Sequence, residues 1–211
     1  MATTAYKPAS IPVFPPHGDP TGACLLFSLV RAEPWRDEMS WPDGFAGGIA
    51  HRLDIHTSGA ILVADDPDEL IALRKLFAAR QLTKTYRMLA SKDVPWDANG
   101  CDRSIAHDKR RRRRMIVQRG AATPHRGKWH PAETRFRRLE GSLFEAVMQT
   151  GVMHQIRVHA AFVGIPLLGD AIYGRGDNRT GHKLHHVGIL GPHGLRTDPV
   201  QLPEWARTSA D

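Results

Sequence analysis

The feature that most constrains the fold of this 211-residue chain is a polar nonapeptide that runs directly into an apolar segment. Residues 51–59 read HRLDIHTSG, and residues 60–64 read AILVA. A short apolar run of this kind is consistent with a buried strand. The polar side chains before it should then lie at the edge of a core, where a charged group is held rigidly and partly out of water. Taken alone, the motif is also compatible with a surface turn carrying solvated charges.

The composition predicts a domain with a substantial core and a basic surface. Hydrophobic residues make up 41% of the chain, and its length favours one domain over residues 1–211. Lysine and arginine outnumber aspartate and glutamate by 29 to 22, which gives a net charge of +7. Such an excess favours a polyanionic partner, because contacts to phosphates supply most of the non-specific affinity for nucleic acids.

Several features favour a soluble, cytoplasmic protein without a membrane partner. Cys24 and Cys101 lie far apart without metal-type spacing, which is typical of reduced thiols in an intracellular protein. The N-terminal residues lack the apolar core of a signal peptide. The chain also lacks a run of about 18 apolar residues, the length that a membrane-spanning helix needs.

Local patterns predict an α+β fold with a mainly antiparallel sheet flanked by helices and loops, since no regular βαβ alternation is present. Asp66, Pro67 and Glu69 have the spacing of a capped helix start. Prolines make residues 6–16 an edge-like or extended segment, and the stretch after Pro95 is predicted to be loop. Helices are predicted at residues 23–30, 66–80 and 153–163, and strands at residues 60–64, 83–90 and 144–150.

A second polar cluster occupies residues 150–174, which read TGVMHQIRVHAAFVGIPLLGDAIYG. On a helix, His154 and Arg157 would share one face. An arginine near a helix start can pair with a carboxylate from elsewhere, and Asp54 is the obvious candidate. Such a pair would hold Asp54 ionised and aimed; the alternative is an ion pair with a purely structural role.

Three motifs in this chain together resemble the RluA-type pseudouridine synthases. HRLDIHTSG resembles the family's HRLDxxTSG motif, with Asp54 at its aspartate, and LTKTYRMLA resembles the KxYxA strand, with Tyr86 at its tyrosine. TGVMHQIRVHAAFVGIPLLGDAIYG resembles TGRxHQIRVHxxxxGxPxxGDxxYG, with Arg157 at the active-site arginine. The segments YKPASIPVFP and KLHHVGI extend the resemblance over almost the whole chain.

The chain departs from the family pattern in two places. Val152 stands where the family usually has arginine, which puts one phosphate or structural contact in doubt. The sequence also begins near the KPAG-like segment, so we expect no N-terminal S4-type RNA-binding domain. The catalytic domain would then have to bind RNA by itself.

The resemblance implies a monomeric isomerase that converts uridine to pseudouridine in structured ribosomal or transfer RNA without a cofactor. This reaction needs a carboxylate that acts as nucleophile or base. The resemblance assigns that role to Asp54, pairs Arg157 with it, and places Tyr86 against the uracil. The target base must leave the helical stack to be reached. The resemblance implies that the Arg52 side chain occupies the space that the flipped base vacates. The other predicted substrate contacts are His51, Thr57, His154, Gln155 and Ile156.

The densest charge in the chain is the run KRRRRR at residues 109–114. We predict that it contacts the RNA backbone through Arg111, Arg112, Arg113 and Arg114, with a solvated arm as the alternative.

Other function classes stay open at this point. One is a non-catalytic RNA-binding module that has kept the fold, against which the intact Asp54, Tyr86 and Arg157 argue. Another is a metal-dependent hydrolase, although His51, His56, His154 and His159 lack acidic or cysteine partners at metal-ligand spacing. Ser58 has no GxSxG context, and His182, His185 and His186 are predicted to be surface or strand residues outside any site.

Overall fold

The computed structural model describes residues 2–176 and 181–211, and these contain four α-helices and ten strands. The helices are α1 (Leu25–Ala32), α2 (Trp35–Glu38), α3 (Pro67–Ala78) and α4 (Gln155–Phe162). The strands are β1 (Thr3–Lys7), β2 (Ser58–Val63), β3 (Thr83–Leu89), β4 (Ala98–Cys101), β5 (Ile105–Asp108), β6 (Met115–Val117), β7 (His125–His130), β8 (Thr134–Glu140), β9 (Leu143–Met148) and β10 (Leu184–Leu190). No helix among these described residues has the length and hydropathy needed to cross a membrane.

The chain divides into two compact units, of which unit 1 comprises Met1–Lys84 and His185–Leu202, and unit 2 comprises Thr85–Leu184 and Pro203–Asp211. In unit 1, β2 pairs with β1 in antiparallel and with β10 in parallel orientation. In unit 2, β3, β9, β8 and β4 are neighbours in that order, and β6, β5 and β7 form a separate antiparallel sheet. The predicted α+β fold with mainly antiparallel strands is therefore confirmed, whereas one catalytic domain over residues 1–211 stays a prediction.

Strand β2 forms the centre of unit 1, and all six of its residues are buried. The apolar run at residues 60–64 therefore behaves as predicted, and the polar nonapeptide leads directly into the core. Gly59 is required at the start of β2, because its φ is +125° and a Cβ there would lie 2.1 Å from the carbonyl oxygen of His186. The glycine of HRLDIHTSG thus allows β10 to approach the nonapeptide closely.

Helix α3 begins at the capping residues that the sequence indicates. The Asp66 carboxylate accepts a hydrogen bond from the Glu69 amide at 2.8 Å, and Pro67 occupies the first turn. The Glu69 carboxylate accepts the amide of Asp65 at 2.9 Å, one residue before the position expected in a capping box. Helices α1 and α4 and strands β3 and β9 also lie within or beside their predicted ranges.

Two predictions about local structure were wrong. The stretch after Pro95 is not all loop, because β4, β5 and β6 lie within it. These strands have only 3–4 residues each, and pairing with neighbouring strands defines them more than any alternation of their own. For His182, His185 and His186 the surface alternative was wrong, because all three are buried, whereas the strand alternative is confirmed for His185 and His186, which lie within β10.

Candidate active site

The loop that carries Asp54 is fastened in unit 1 by the ammonium group of Lys7. Lys7 is fully buried, and its Nζ donates hydrogen bonds to the carbonyl oxygens of Pro8 at 2.8 Å, Ile55 at 2.9 Å and Thr57 at 2.6 Å. The amide of Thr57 in turn donates to the carbonyl oxygen of Asp54 at 3.0 Å. The backbone that follows Asp54 is therefore held both by the Lys7 ammonium group and by a hydrogen bond within the loop.

Lys7 also affects the charge around Asp54, which is half-buried. Burial lowers the pKa of Lys7 to about 8, while the nearby Asp54 carboxylate favours the charged ammonium. Sequence reasoning missed this role of Lys7; the only signal was a lysine inside the proline-rich segment YKPASIPVFP.

Of the predicted substrate contacts in unit 1, only Arg52 is exposed. Thr57 is buried, and its carbonyl oxygen is the one that Lys7 binds most closely. The His51 Nε2 accepts the amide of Leu62 at 3.0 Å, which fixes the ring against β2. These contacts are structural, and the predicted roles of the three residues toward a substrate stay predictions.

A cluster of titratable side chains lies behind the Asp54 loop in unit 1. The His51 ring packs 5.3 Å from Phe77 and edge-on against His186 at 5.5 Å, and the Lys84 ammonium lies 5.7 Å from the Phe77 ring. The His186 Nδ1 donates to the carbonyl oxygen of Ala60 at 2.6 Å. Burial lowers the pKa of His186 to about 4, and burial together with the charges of His186 and Lys84 holds the pKa of His51 well below its usual value.

We expect acidification to destabilise the protein through His51 and His186. Both have pKa values below that of an unfolded histidine, so the unfolded chain binds protons first as the pH falls. The stability contributed by the neutral rings is complete above pH ~6.5 and should fall by on the order of 2–3 kcal/mol toward pH 4 for His186. Urea unfolding between pH 7.5 and pH 4.5 measures the slope of the free energy of unfolding against pH. It should flatten in His186→Gln but not in His17→Gln, which removes an exposed histidine; equal slopes in both variants would contradict the assignment.

In unit 2, Arg157 is fixed by a carboxylate from its own motif. Its Nε and Nη2 donate to the two oxygens of Asp170, at 2.8 and 3.0 Å. Both residues are buried, and Asp170 also accepts the amides of Ile172 at 2.9 Å and Tyr173 at 3.1 Å. Sequence reasoning proposed only Asp54 as the partner of Arg157 and missed Asp170, although the GD of the resembled motif contains it. The pairing of Arg157 with Asp54 stays a prediction.

Tyr173 connects the start of α4 to the small sheet of unit 2. Its hydroxyl accepts the amide of Met115 in β6 at 2.8 Å and lies 2.9 Å from the His154 Nδ1. The Arg157 guanidinium lies 5.3 Å from the centroid of its ring, and that of Arg114 lies 5.7 Å from it. The ring thus contacts both the predicted active-site arginine and the last arginine of the basic run.

Three further predicted site residues of unit 2, Gln155, Ile156 and Tyr86, are buried. Gln155 donates to the carbonyl oxygen of Glu133 at 2.8 Å and to the Thr150 hydroxyl at 2.7 Å, so its side chain holds the loop before α4. Ile156 is 3% exposed and contributes to the core. Tyr86 is 5% exposed on the buried face of β3, the face that the alternating pattern predicts. Their substrate roles stay predictions.

The basic run forms the turn between β5 and β6. The Asp108 carboxylate accepts the amides of Arg110 at 2.7 Å and Arg111 at 3.1 Å, so the turn has a defined backbone. The side chains of Arg111, Arg112 and Arg113 are exposed, whereas Arg114 is half-buried against Tyr173. Arg111, Arg112 and Arg113 therefore extend into solvent from a turn whose backbone is held by hydrogen bonds.

Among residues 2–176 and 181–211, no three His, Cys, Asp or Glu side chains come together as a protein metal site would require.

Residues 3–162 match the family model described as RNA pseudouridylate synthase, and the chain belongs to this family. The RluA-type family predicted from the motifs is thereby confirmed. Among the relatives, an RNA pseudouridine synthase of Chloroflexus aurantiacus is 33% identical over 196 residues, covering 88% of this chain and 56% of the relative. The ribosomal large subunit pseudouridine synthase D of Nitrosomonas europaea is 33% identical over 174 residues, covering 80% and 46% respectively. The chain thus spans about half the length of these relatives.

Solved structures support the fold. Human RNA pseudouridylate synthase domain containing 4 superimposes with a TM-score of 0.70 at 21% identity, covering 97% of this chain and 87% of that one. Human RNA pseudouridylate synthase domain containing 1 gives a TM-score of 0.69 at 24% identity, covering 86% and 74%. At these identities the likeness shows the fold alone.

Proposed function

We propose that this chain is an RNA pseudouridine synthase that isomerises uridine in structured ribosomal or transfer RNA, with Asp54 as the carboxylate that acts on the target nucleotide. The observation that carries the proposal is the setting of Asp54 in a segment that the family model matches. Its loop is fixed by Lys7, a buried cation whose ammonium group binds the loop backbone and interacts electrostatically with the Asp54 carboxylate. A half-buried carboxylate with a fixed backbone is suited to act as a nucleophile or a base.

The reaction exchanges one bond of the uracil for another and needs no redox cofactor. The N1–C1′ bond breaks, the base turns, and a C5–C1′ bond forms; the hydrogen on C5 leaves and N1 gains a proton. Asp54 acts on the ribose or the base, and Tyr86 stacks on the uracil and assists removal of the C5 proton. The family resemblance gives Arg157, whose guanidinium is held by Asp170, a part in the reaction as well. Arg52, which is exposed, fills the space that the flipped base leaves.

Release of tritium from RNA labelled at uridine C5 tests this function. Wild-type protein is incubated separately with unmodified ribosomal RNA and unmodified transfer RNA, since the C5 hydrogen is expelled wherever pseudouridine forms. Release from one pool identifies both the chemistry and the class of RNA. No release from either pool, with RNA binding intact, would overturn the proposal in favour of a non-catalytic RNA-binding module.

The basic turn should hold the RNA backbone. Replacing Arg111, Arg112 and Arg113 by glutamine should weaken RNA binding and reduce the slope of log K against log salt by roughly 2–3, because three phosphate contacts are lost. A matched control replaces Arg135 and Arg137, whose guanidinium groups already pair with Glu133 and Glu145 at 2.9 Å. Equal slopes for the triple variant and the wild type would show that the basic run contacts solvent and not RNA.

A further inference from the structure

The basic side chains of β8 and those of the small sheet in unit 2 differ in their partners. Those of β8 are neutralised by nearby carboxylates, with Arg135 on Glu133, Arg137 on Glu145, and Arg138 on Asp93 and Asp97 at 2.9–3.0 Å. Arg119, Arg126 and Lys128 are exposed, and none of them forms an ion pair within the part of the chain that the structure describes. Of these two surfaces, the small sheet and its turns therefore carry exposed basic side chains without an ion pair, whereas the arginines of β8 are paired.

A β-bulge distorts β7 on this sheet. Ile105 pairs with His130 and His107 pairs with Arg126, so β7 contains two more residues than β5 over the same length. Gly127 lies within the bulge with a φ of +74°, and a Cβ there would meet nothing within 4 Å. The surface above Gly127 is therefore open, and the bulge can redirect the side chains on either side of it.

The bulge brings two aromatic rings together. His125 and Trp129 are four residues apart, which in a regular strand would place them about 13 Å apart. In this structure their ring centroids lie 4.4 Å apart with an interplanar angle of 35°. The His125 ring is oriented by a hydrogen bond from its Nδ1 to the carbonyl oxygen of Thr123 at 3.1 Å. Both residues are half-buried, and exposed Arg126 and Lys128 lie between them in sequence.

We propose that the adjacent rings of His125 and Trp129 form a platform for an unpaired nucleobase of the RNA, with Arg126 and Lys128 binding the adjacent phosphates. The inference rests on the proposed function in that it takes RNA as the ligand. Aromatic rings beside cations are the combination that binds single-stranded RNA, since every base has a π-face and every nucleotide a phosphate. The charge of this sheet favours RNA over a protein partner. The substrate should therefore carry an unpaired segment next to its folded region.

The test compares binding of two fluorescent RNA probes by anisotropy, a 12-nucleotide uridine strand and a blunt 12-base-pair duplex. Trp129→Ala should weaken binding of the single strand by roughly five- to a hundredfold, the usual effect of losing one stacked base. Binding of the duplex should be unchanged. Trp129→Phe keeps an aromatic face and should retain most of the affinity for the strand. Competition by inorganic polyphosphate, which has charge but no bases, should be the same for the wild type and Trp129→Ala.

The outcomes separate this inference from the proposed function. Equal affinity of Trp129→Ala and the wild type for the single strand would overturn the platform. So would an equal loss for strand, duplex and polyphosphate in a variant whose circular dichroism is native, because that pattern indicates a general surface or a protein contact. Tritium release by the wild type is scored independently. If it is absent while the strand-specific loss persists, the platform stands and the isomerase proposal fails.

Discussion

Replacing Asp54 with asparagine should abolish pseudouridine formation while leaving RNA affinity unchanged. Asparagine has nearly the same shape as aspartate but cannot serve as a charged nucleophile or base, so turnover should fall by at least roughly a thousandfold. The loop should keep its conformation, because Lys7 donates hydrogen bonds to the backbone carbonyl groups of Ile55 and Thr57, which the substitution does not change. The proposed RNA contacts lie on the basic surface of unit 2, which the substitution leaves intact, so RNA affinity should be preserved.

Tritium release under single-turnover conditions and anisotropy with the same RNA give the two quantities separately. Asp43→Asn is the matched control, because it removes an exposed carboxylate from the same unit and should behave as the wild type. An Asp54→Asn variant that retains wild-type turnover would remove Asp54 from the chemistry. Parallel losses of turnover and affinity would instead assign Asp54 to substrate binding.

The sequence predicted those parts of the structure that depend on neighbours along the chain. The start of α3 follows from Asp66 and Pro67, whose cap bonds span only three residues. The burial of Tyr86 and Met88 follows from the alternation of β3. The motif around Asp54 could likewise be placed at the edge of a core, because the apolar run after it is short and uninterrupted. Local physics determines each of these features.

Contacts between distant residues could not be predicted in this way. Lys7 binds carbonyl groups 48 and 50 residues away, and nothing in the composition of YKPASIPVFP indicates that its lysine is buried. The short strands β4 and β6 are defined by pairing with partners whose position only the fold determines. Nothing in the sequence distinguishes Trp129 within its basic stretch, and the bulge that places it against His125 depends on the register of β5 and β7. The motifs thus allowed candidate site residues to be named, but they did not indicate the residues that support them.

Substituting Asp170 by asparagine should lower the free energy of unfolding by about 3–5 kcal/mol, because it leaves the buried Arg157 guanidinium without its compensating charge. Burial alone would raise the pKa of Asp170, but the hydrogen bonds and charge of Arg157 and the amides of Ile172 and Tyr173 outweigh it and hold the pKa below its usual value. The stability that the carboxylate contributes is therefore present above the unfolded pKa and is lost only as the pH falls through the lower folded value. Urea unfolding at pH 7 measures the loss, and Asp102→Asn, which changes an exposed aspartate of the same unit, should cost little.

A double variant separates the effect of losing Asp170 on stability from its effect on turnover. If the carboxylate only compensates the charge of Arg157, then Arg157→Met combined with Asp170→Leu should recover much of the stability, since a buried ion pair can often be replaced by apolar residues of similar volume. Turnover should not recover, because the guanidinium that Asp170 positions has been removed. Recovery of both stability and turnover would show that Arg157 has no part in the reaction. An Asp170→Asn variant as stable as the wild type would show that the pair contributes little to folding.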